Sequence, residues 1–260
     1  MTKKQNKLAE QQEQERFEKF EKGHFKFVPF QAKNEKQQDL FDACFQSNLV
    51  IAVGPAGTGK SITEAAAAAR MMAEKQIDEI ILTRNPLPTG QTTGFNPGTA
   101  EEKLAPWLAP IISNLKKVMQ TDKGKDGLFN YLMEKRQIRM LELESVKGSS
   151  FDDAFIIVEE CQEMPMETLK NLSTRAGEGA TLLMNGDSAQ GNIRLKGSGD
   201  WVRFVESIKQ SNSRIAAKIE AGETPEEWEM IVPIIEFTKE DCVRSGLCRL
   251  MLEIFDEFNL

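Results

Sequence analysis

The sequence predicts an α/β domain in which a mostly parallel central sheet is covered by helices on both faces. Three observations carry that expectation. Short apolar runs alternate with helix-favouring stretches along the chain, a glycine-rich turn (GPAGTGKS, 54–61) joins one such run to a long helical stretch, and a later run (FIIVEECQ, 155–162) ends on two adjacent acids. Alternation of this kind needs crossover connections, and these lay the strands parallel.

The elements follow in order. Residues 1–30 begin MTKKQNKLAEQQEQERFEKFEKG, are charged, lack the apolar core of a leader peptide, and are expected to form a mobile or helical arm. Residues 31–260 are then expected to fold as one domain. NEKQQDLFDACF (34–45) spaces its apolar residues for a helix, NLVIAV (48–53) is a β-branched strand, and the alanine-rich stretch after the glycines favours a helix. DEIILTRN (78–85) reads as a strand, and PLPTGQTTGFNPGT (86–99) as a loop long enough to suggest a functional role. AEEKLAPWLAPIISNLKKVMQ is helical, kinked or divided by its prolines. Strands are expected at 137–143, 154–160, 180–185 and 230–237, a polar local insertion at 210–229, and a closing helix near 241–258.

Composition narrows the function. The 260 residues carry 33 basic and 40 acidic side chains, a net charge of −7, which gives no general affinity for nucleic acid or anionic membrane. A phosphate backbone would need a local basic stripe. Cys44, Cys161, Cys242 and Cys248 lack C-x-x-C spacing, which argues against a disulfide framework or a zinc site and for a reduced cytoplasm. The only histidine, His24, argues against His-based metal sites and a Ser-His-Asp triad. No apolar run is long enough to span a bilayer, so no membrane partner is expected.

GPAGTGKS matches G-x-x-x-x-G-K-[ST] in full, after a strand and before a helix. The binding stretch runs through Gly54, Pro55, Ala56, Gly57, Thr58, Gly59, Lys60, Ser61 and Ile62. Its glycines let the backbone curl with N–H groups inward, and the helix N-terminus adds positive potential to the same hollow. Lys60 is placed to reach the β- and γ-phosphates of ATP, and the Ser61 hydroxyl to ligate Mg²⁺.

The acids at 159 and 160 fit the second nucleotide motif. Strand alternation is expected to splay them apart, which disfavours a glycosidase-like pair. Glu159 would then hold Mg²⁺ through a water, and Glu160 would orient or deprotonate the attacking water.

With these motifs in place the chain resembles the PhoH-like family of P-loop ATPases, related to the first motor domain of superfamily 1 helicases. The resemblance rests on NEKQQDLF, GPAGTGKS, TRN, GFNPG, EKLAPWLAP, VKGSSFDDAFIIVEECQ, LSTRAGEGATLLMNGDSAQGNI and FTKEDCVRSGLC, in that order, between about residues 34 and 256. Three departures stand out: Asn85 where the family has proline, Asn96 where it commonly has leucine, and Glu159 where it has aspartate.

The resemblance implies a three-layer RecA-like fold and further roles. Gln37 would read the adenine edge, or be an exposed polar residue on its helix. Asp187 and Gln190 would sense the γ-phosphate. Arg244, or alternatively Arg175, would meet the triphosphate in cis or from a neighbouring subunit, although either would serve equally as a surface ion pair. A second motor domain is not evident, so the resemblance implies a homo-oligomeric ring, a hexamer, with ATP at its interfaces. Single-stranded RNA or DNA is the implied polymer, with Thr83, Arg84, Arg194 and Lys196 as contacts and Trp107 or Phe95 as stacking surfaces. The alternatives are an ATPase acting on a protein partner and a slow nucleotide-switched assembly module.

Overall fold

Four strands read as unbroken apolar runs because both of their faces are covered. In the computed structural model, which describes residues 28–85, 99–120, 127–187 and 199–258, the sheet has six strands. These are β1 (Leu49–Val53), β2 (Glu79–Arg84), β3 (Ile138–Met140), β4 (Ala154–Glu159), β5 (Thr181–Gly186) and β6 (Ile234–Glu236). Their spatial order is β3-β2-β4-β5-β1-β6, and every pairing is parallel. The charged arm to residue 27, Phe95, Asn96, Gln190, Arg194 and Lys196 lie outside the described residues.

Strand alternation sorts the core into two layers. Val50, Ala52, Ile80, Leu82, Phe155, Ile157 and Leu183 face one side, while Ile51, Val53, Ile81, Ile156, Val158, Leu182 and Met184 face the other. The first side is covered by α1 (Glu35–Gln46), α2 (Lys60–Ala73), α3 (Ala100–Leu104), α4 (Ala109–Val118) and α5 (Gly127–Glu134). The second is covered by α6 (Leu143–Lys147), α7 (Met166–Ser173) and α8 (Asp200–Glu220). This is the three-layer α/β fold expected, with a sheet that is parallel throughout. In α2, Ala65 to Ala69 are all buried, since small side chains let the helix lie close between sheet, α1 and α4.

Four boundaries differ from the sequence reading. The strand expected at 137–143 ends at Met140, and Leu143 opens α6 instead. The stretch 210–229 is not a separate insertion: it is the second half of α8 plus a return loop. Asn212 ties that loop back by pairing with both backbone groups of Val232, at 2.8 and 3.0 Å, and Lys218 pairs with Glu229 at 2.7 Å. β6 is limited to three residues after Pro233, which supplies a carbonyl to Ile51 N–H but has no N–H of its own. The closing helix, α9 (Gly246–Phe258), starts later than expected because a capped 3-10 turn, Lys239–Asp241, comes first. α9 buries none of its residues and leaves Leu247, Leu250, Met251, Phe255 and Phe258 exposed.

Candidate active site: a phosphate cradle facing a carboxylate cluster

Parallel strands end on one side, and the segments leaving β1, β4, β5 and β6 line a cleft there of about 510 Å³, a size typical of small-molecule sites. Lys60, Ser61, Glu159, Glu160, Asp187 and Arg244 all line it. The sequence separates these residues by up to about two-thirds of its length, and the sheet brings them together.

The cradle is held in shape from outside. Gly54 (φ 141°) has no room for a side chain, because the backbone of Phe237 after β6 occupies that space. Gly59 (φ 85°) opens α2 with its Cα against the Gln37 amide. Gln37 itself is 1% exposed, its Nε2 donating to Thr58 O at 2.8 Å and its Oε1 accepting from Lys33 N at 2.9 Å. Its oxygen and one of its two N–H donors are therefore engaged by the protein. In this geometry Gln37 buttresses the phosphate loop and is not among the residues that line the cleft.

Lys60 Nζ donates to Gly54 O and, at 2.9 Å, to Pro55 O, so the ammonium is already drawn into the curl. Burial pushes its pKa down, and Glu64, Asp187, Glu159 and Glu160 push it back up. The cation is thus kept against a desolvation cost by surrounding carboxylates.

Glu159 is half-buried where β4 meets the cleft, and desolvation raises its pKa; Glu160 raises it further, while Asn185, Ser61 and Arg84 oppose the shift. Its Oε1 is buried without a hydrogen-bond partner among the described residues. A carboxylate oxygen left so, beside the Ser61 hydroxyl, fits a divalent cation. Among the described residues no group of three or more His, Cys, Asp or Glu could hold a metal, so phosphate and water must complete the shell.

Glu160 corrects the expectation from strand alternation. It adopts φ 58° and ψ 47°, a left-handed conformation uncommon for a residue with a side chain, and so does not continue the strand. The turn brings both acids to the cleft instead of splaying them apart. Such a conformation costs on the order of 1 kcal/mol and persists where the surroundings over-determine it. Here Glu160 N donates to Asn185 Oδ1 at 3.4 Å, and Glu160 Oε2 accepts from Gln162 Nε2. Gln162 Oε1 in turn accepts from Asp187 N at 3.0 Å.

Three residues here escaped the sequence reading: Gln162, Asn185 and Glu64. Gln162 and Asn185 lie inside recognised blocks but gave no local sign of a role. Glu64 lies one helical turn after Lys60 and so on the same face of α2, the one signal available. It is fully buried, and both its oxygens accept from Asn185 Nδ2, at 3.0 and 2.9 Å. Burial first, then Glu159, raises its pKa well above the ordinary value, against the pull of Lys60 and Asn185. Because its folded pKa exceeds its unfolded one, Glu64 lowers stability as pH rises through the interval between them. Glu64→Gln is therefore expected to stabilise the fold at neutral pH by about 1 kcal/mol, after one weakened hydrogen bond. The gain should vanish below about pH 4, where both side chains are neutral. Urea unfolding at the two pH values checks this; destabilisation at neutral pH would mean that Lys60 fully compensates the charge.

The candidate polymer contacts are placed unevenly. Thr83 is fully buried and its hydroxyl donates to Leu141 O at 2.7 Å, which leaves it no face for a ligand. Arg84, put beside the acids by the β2–β4 register, lies 3.8 Å from both Glu160 and Glu163 and over the half-buried Trp107 ring at 5.6 Å. Burial raises the pKa of Glu163 and Arg84 lowers it. Arg175 lies at the opposite end of the strands: its carbonyl accepts from Phe151 N, before β4 begins. One chain therefore cannot bring Arg175 to its own cradle. Arg244 is exposed at the mouth of the cleft, next to Val243, whose N–H donates to Gly57 O at 3.0 Å.

The family model described as PhoH-like protein matches residues 29–256. The chain belongs to the PhoH-like family. That family is one of P-loop ATPases. Among PhoH relatives, Protein PhoH of Escherichia coli K12 is 31% identical over 229 residues, 87% of this chain and 58% of that protein. The PhoH-like protein of Mycobacterium tuberculosis H37Rv is 32% identical over 226 residues, covering 87% and 57%. The PhoH-like protein of Bacillus subtilis 168 is 28% identical over 257 residues, covering 97% and 73%. The chain thus matches somewhat more than half the length of the first two. Among the described residues no helix is long and apolar enough to cross a membrane.

Proposed function

We propose that this chain is a Mg²⁺-dependent ATP hydrolase that works as a homo-oligomeric, helicase-like motor or remodeller on single-stranded nucleic acid. The observation that carries the catalytic part is the facing of Lys60 and the 54–61 loop by Glu159 and Glu160 across one cleft. The loop amides and Lys60 bind and orient the β- and γ-phosphates. Ser61 and Glu159 would hold Mg²⁺, which supplies neutralising charge on the phosphate oxygens. Glu160, aimed by Gln162 and Arg84, takes the proton of the attacking water, and Arg244 stands ready for charge developing on the transferred group.

Three observations support the wider reading. Arg84 ends β2 and lies 3.8 Å from Glu160, so a polymer held by Arg84 would bear on the catalytic carboxylate; the loop expected at 86–99 lies, but for Thr99, outside the described residues. The exposed apolar face of α9 suits a subunit contact, and Arg244 lies just before it in the chain. The free cysteines suit a reduced, cytoplasmic setting. We place residues 31–260 in a single ATPase domain, with 1–30 as its arm. The second reading, a nucleotide-switched assembly ATPase acting on a protein partner, draws on that same apolar face and on the net charge of −7.

Steady-state ATPase rates with and without homopolymeric RNA or single-stranded DNA, with mass from light scattering, decide between them. The proposal expects a hexameric mass and a rate raised about tenfold by polymer, equivalent to about 1.4 kcal/mol of barrier. An unchanged rate with efficient basal turnover would favour the protein-directed reading.

A further inference from the structure

Cys242 and Cys248 have no metal-binding spacing in the sequence, yet the fold brings them together on the phosphate loop. Both are free and half-buried. Both sulfurs rest against Gly57: a side-chain carbon there would lie 2.9 Å from Cys248 Sγ and 3.1 Å from Cys242 Sγ. The segment between them is tied to the same glycine, since Val243 N donates to Gly57 O at 3.0 Å. Arg244, within that segment, lines the nucleotide cleft. Cys44 and Cys161 differ: they are fully buried, and burial pushes their thiols well above the usual pKa.

We propose that Cys242 and Cys248 form a reversible intramolecular disulfide, made by exchange with a small-molecule disulfide, and that its closure draws the Arg244 segment against the phosphate loop and weakens nucleotide binding. The effect on binding rests on the nucleotide reading above; formation of the bond does not.

The exchange balances without another reagent. One cysteine thiolate attacks the small disulfide, forms a mixed disulfide and expels one small thiol. The second cysteine gives its proton to water, attacks the mixed disulfide at the protein sulfur and expels the other. Two protein thiols are oxidised to one S–S bond, and the small disulfide is reduced to two thiols. Burial and the neighbouring Cys242 hold the Cys248 thiol up, and Arg244 pulls it down. Partial exposure and a short closed loop place the bond in the labile class that responds to ambient poise. Bonding shortens the contact to about 2.05 Å, so the 243–247 segment must shift. Gly57, at φ 87° and anchored to Val243, lies in its path.

The test uses the full chain equilibrated with glutathione disulfide, then intact and digested mass spectrometry. The expected product has lost two hydrogens, bridges Cys242 to Cys248, and keeps Cys44 and Cys161 as thiols. Calorimetry with a non-hydrolysable ATP analogue and Mg²⁺ should show affinity about tenfold lower after oxidation, recovered with dithiothreitol. Cys242→Ser and Cys248→Ser should each abolish both the bridge and the redox dependence. Persistent glutathione adducts without a bridge, or reaction confined to Cys44 and Cys161, would overturn the site. A bridge without a change in affinity would overturn the regulatory role. Absence of analogue binding by the reduced protein would strike the nucleotide reading and the regulatory role together, while the mass measurement would still decide the bond.

Discussion

Glu160→Gln is expected to bind ATP as the parent chain does and to hydrolyse it about a hundredfold to ten-thousandfold more slowly, the range for loss of a general base. Glutamine has nearly the same shape, and its oxygen can still accept from Gln162 Nε2. The left-handed backbone at 160 is fixed by Asn185 and the turn into the Cys161–Glu163 3-10 segment, neither of which the substitution touches. What is lost is the proton acceptor, together with the charge facing Arg84 at 3.8 Å. The effect should therefore fall on kcat and leave KM nearly unchanged. Single-turnover hydrolysis beside equilibrium binding separates the two. Parent-like turnover would remove Glu160 from the chemistry and move attention to Asp187, which lines the same cleft.

Lys60→Ala is expected to abolish measurable ATP binding, with affinity lowered at least about a hundredfold, some 2.7 kcal/mol. Two losses combine. The phosphates lose a charge-assisted hydrogen bond, worth about 1.5–3 kcal/mol. The carboxylates of Glu64, Asp187, Glu159 and Glu160 also lose the cation that they all act on. Unpaired buried acids repel an incoming polyanion and favour their own protonation. Calorimetry with ATP and Mg²⁺ should show no heat of binding; affinity within about threefold of the parent would mean that the triphosphate lies elsewhere. Glu64→Gln in the Lys60→Ala background should recover part of the lost stability, because the two side chains are close enough to couple.

Local chemistry made the cradle legible. A curled glycine loop between strand and helix needs fixed residues at fixed spacing, so Gly54, Lys60 and Ser61 announce themselves within eight positions. The parallel sheet was legible for a similar reason, since strands buried on both faces leave continuous apolar runs at 154–158 and 182–184. Glu160 was recognised as an acid at the end of such a run, but its direction was misjudged, because alternation assumes an extended backbone and this residue is left-handed.

By itself the sequence determined the fold class, the phosphate loop and the presence of two acids after a buried strand, all of which follow from short-range spacing. Only the tertiary structure decided that Arg84 counters Glu160, that Gln37 braces the loop, that Arg175 lies at the opposite end of the strands and that Cys242 meets Cys248 over Gly57. It also decided that Glu64 joins the carboxylate cluster through Asn185, 121 positions away. The reason is physical: strand order and register are set by burial summed over the whole sheet, and no neighbouring residue records which strand will lie alongside.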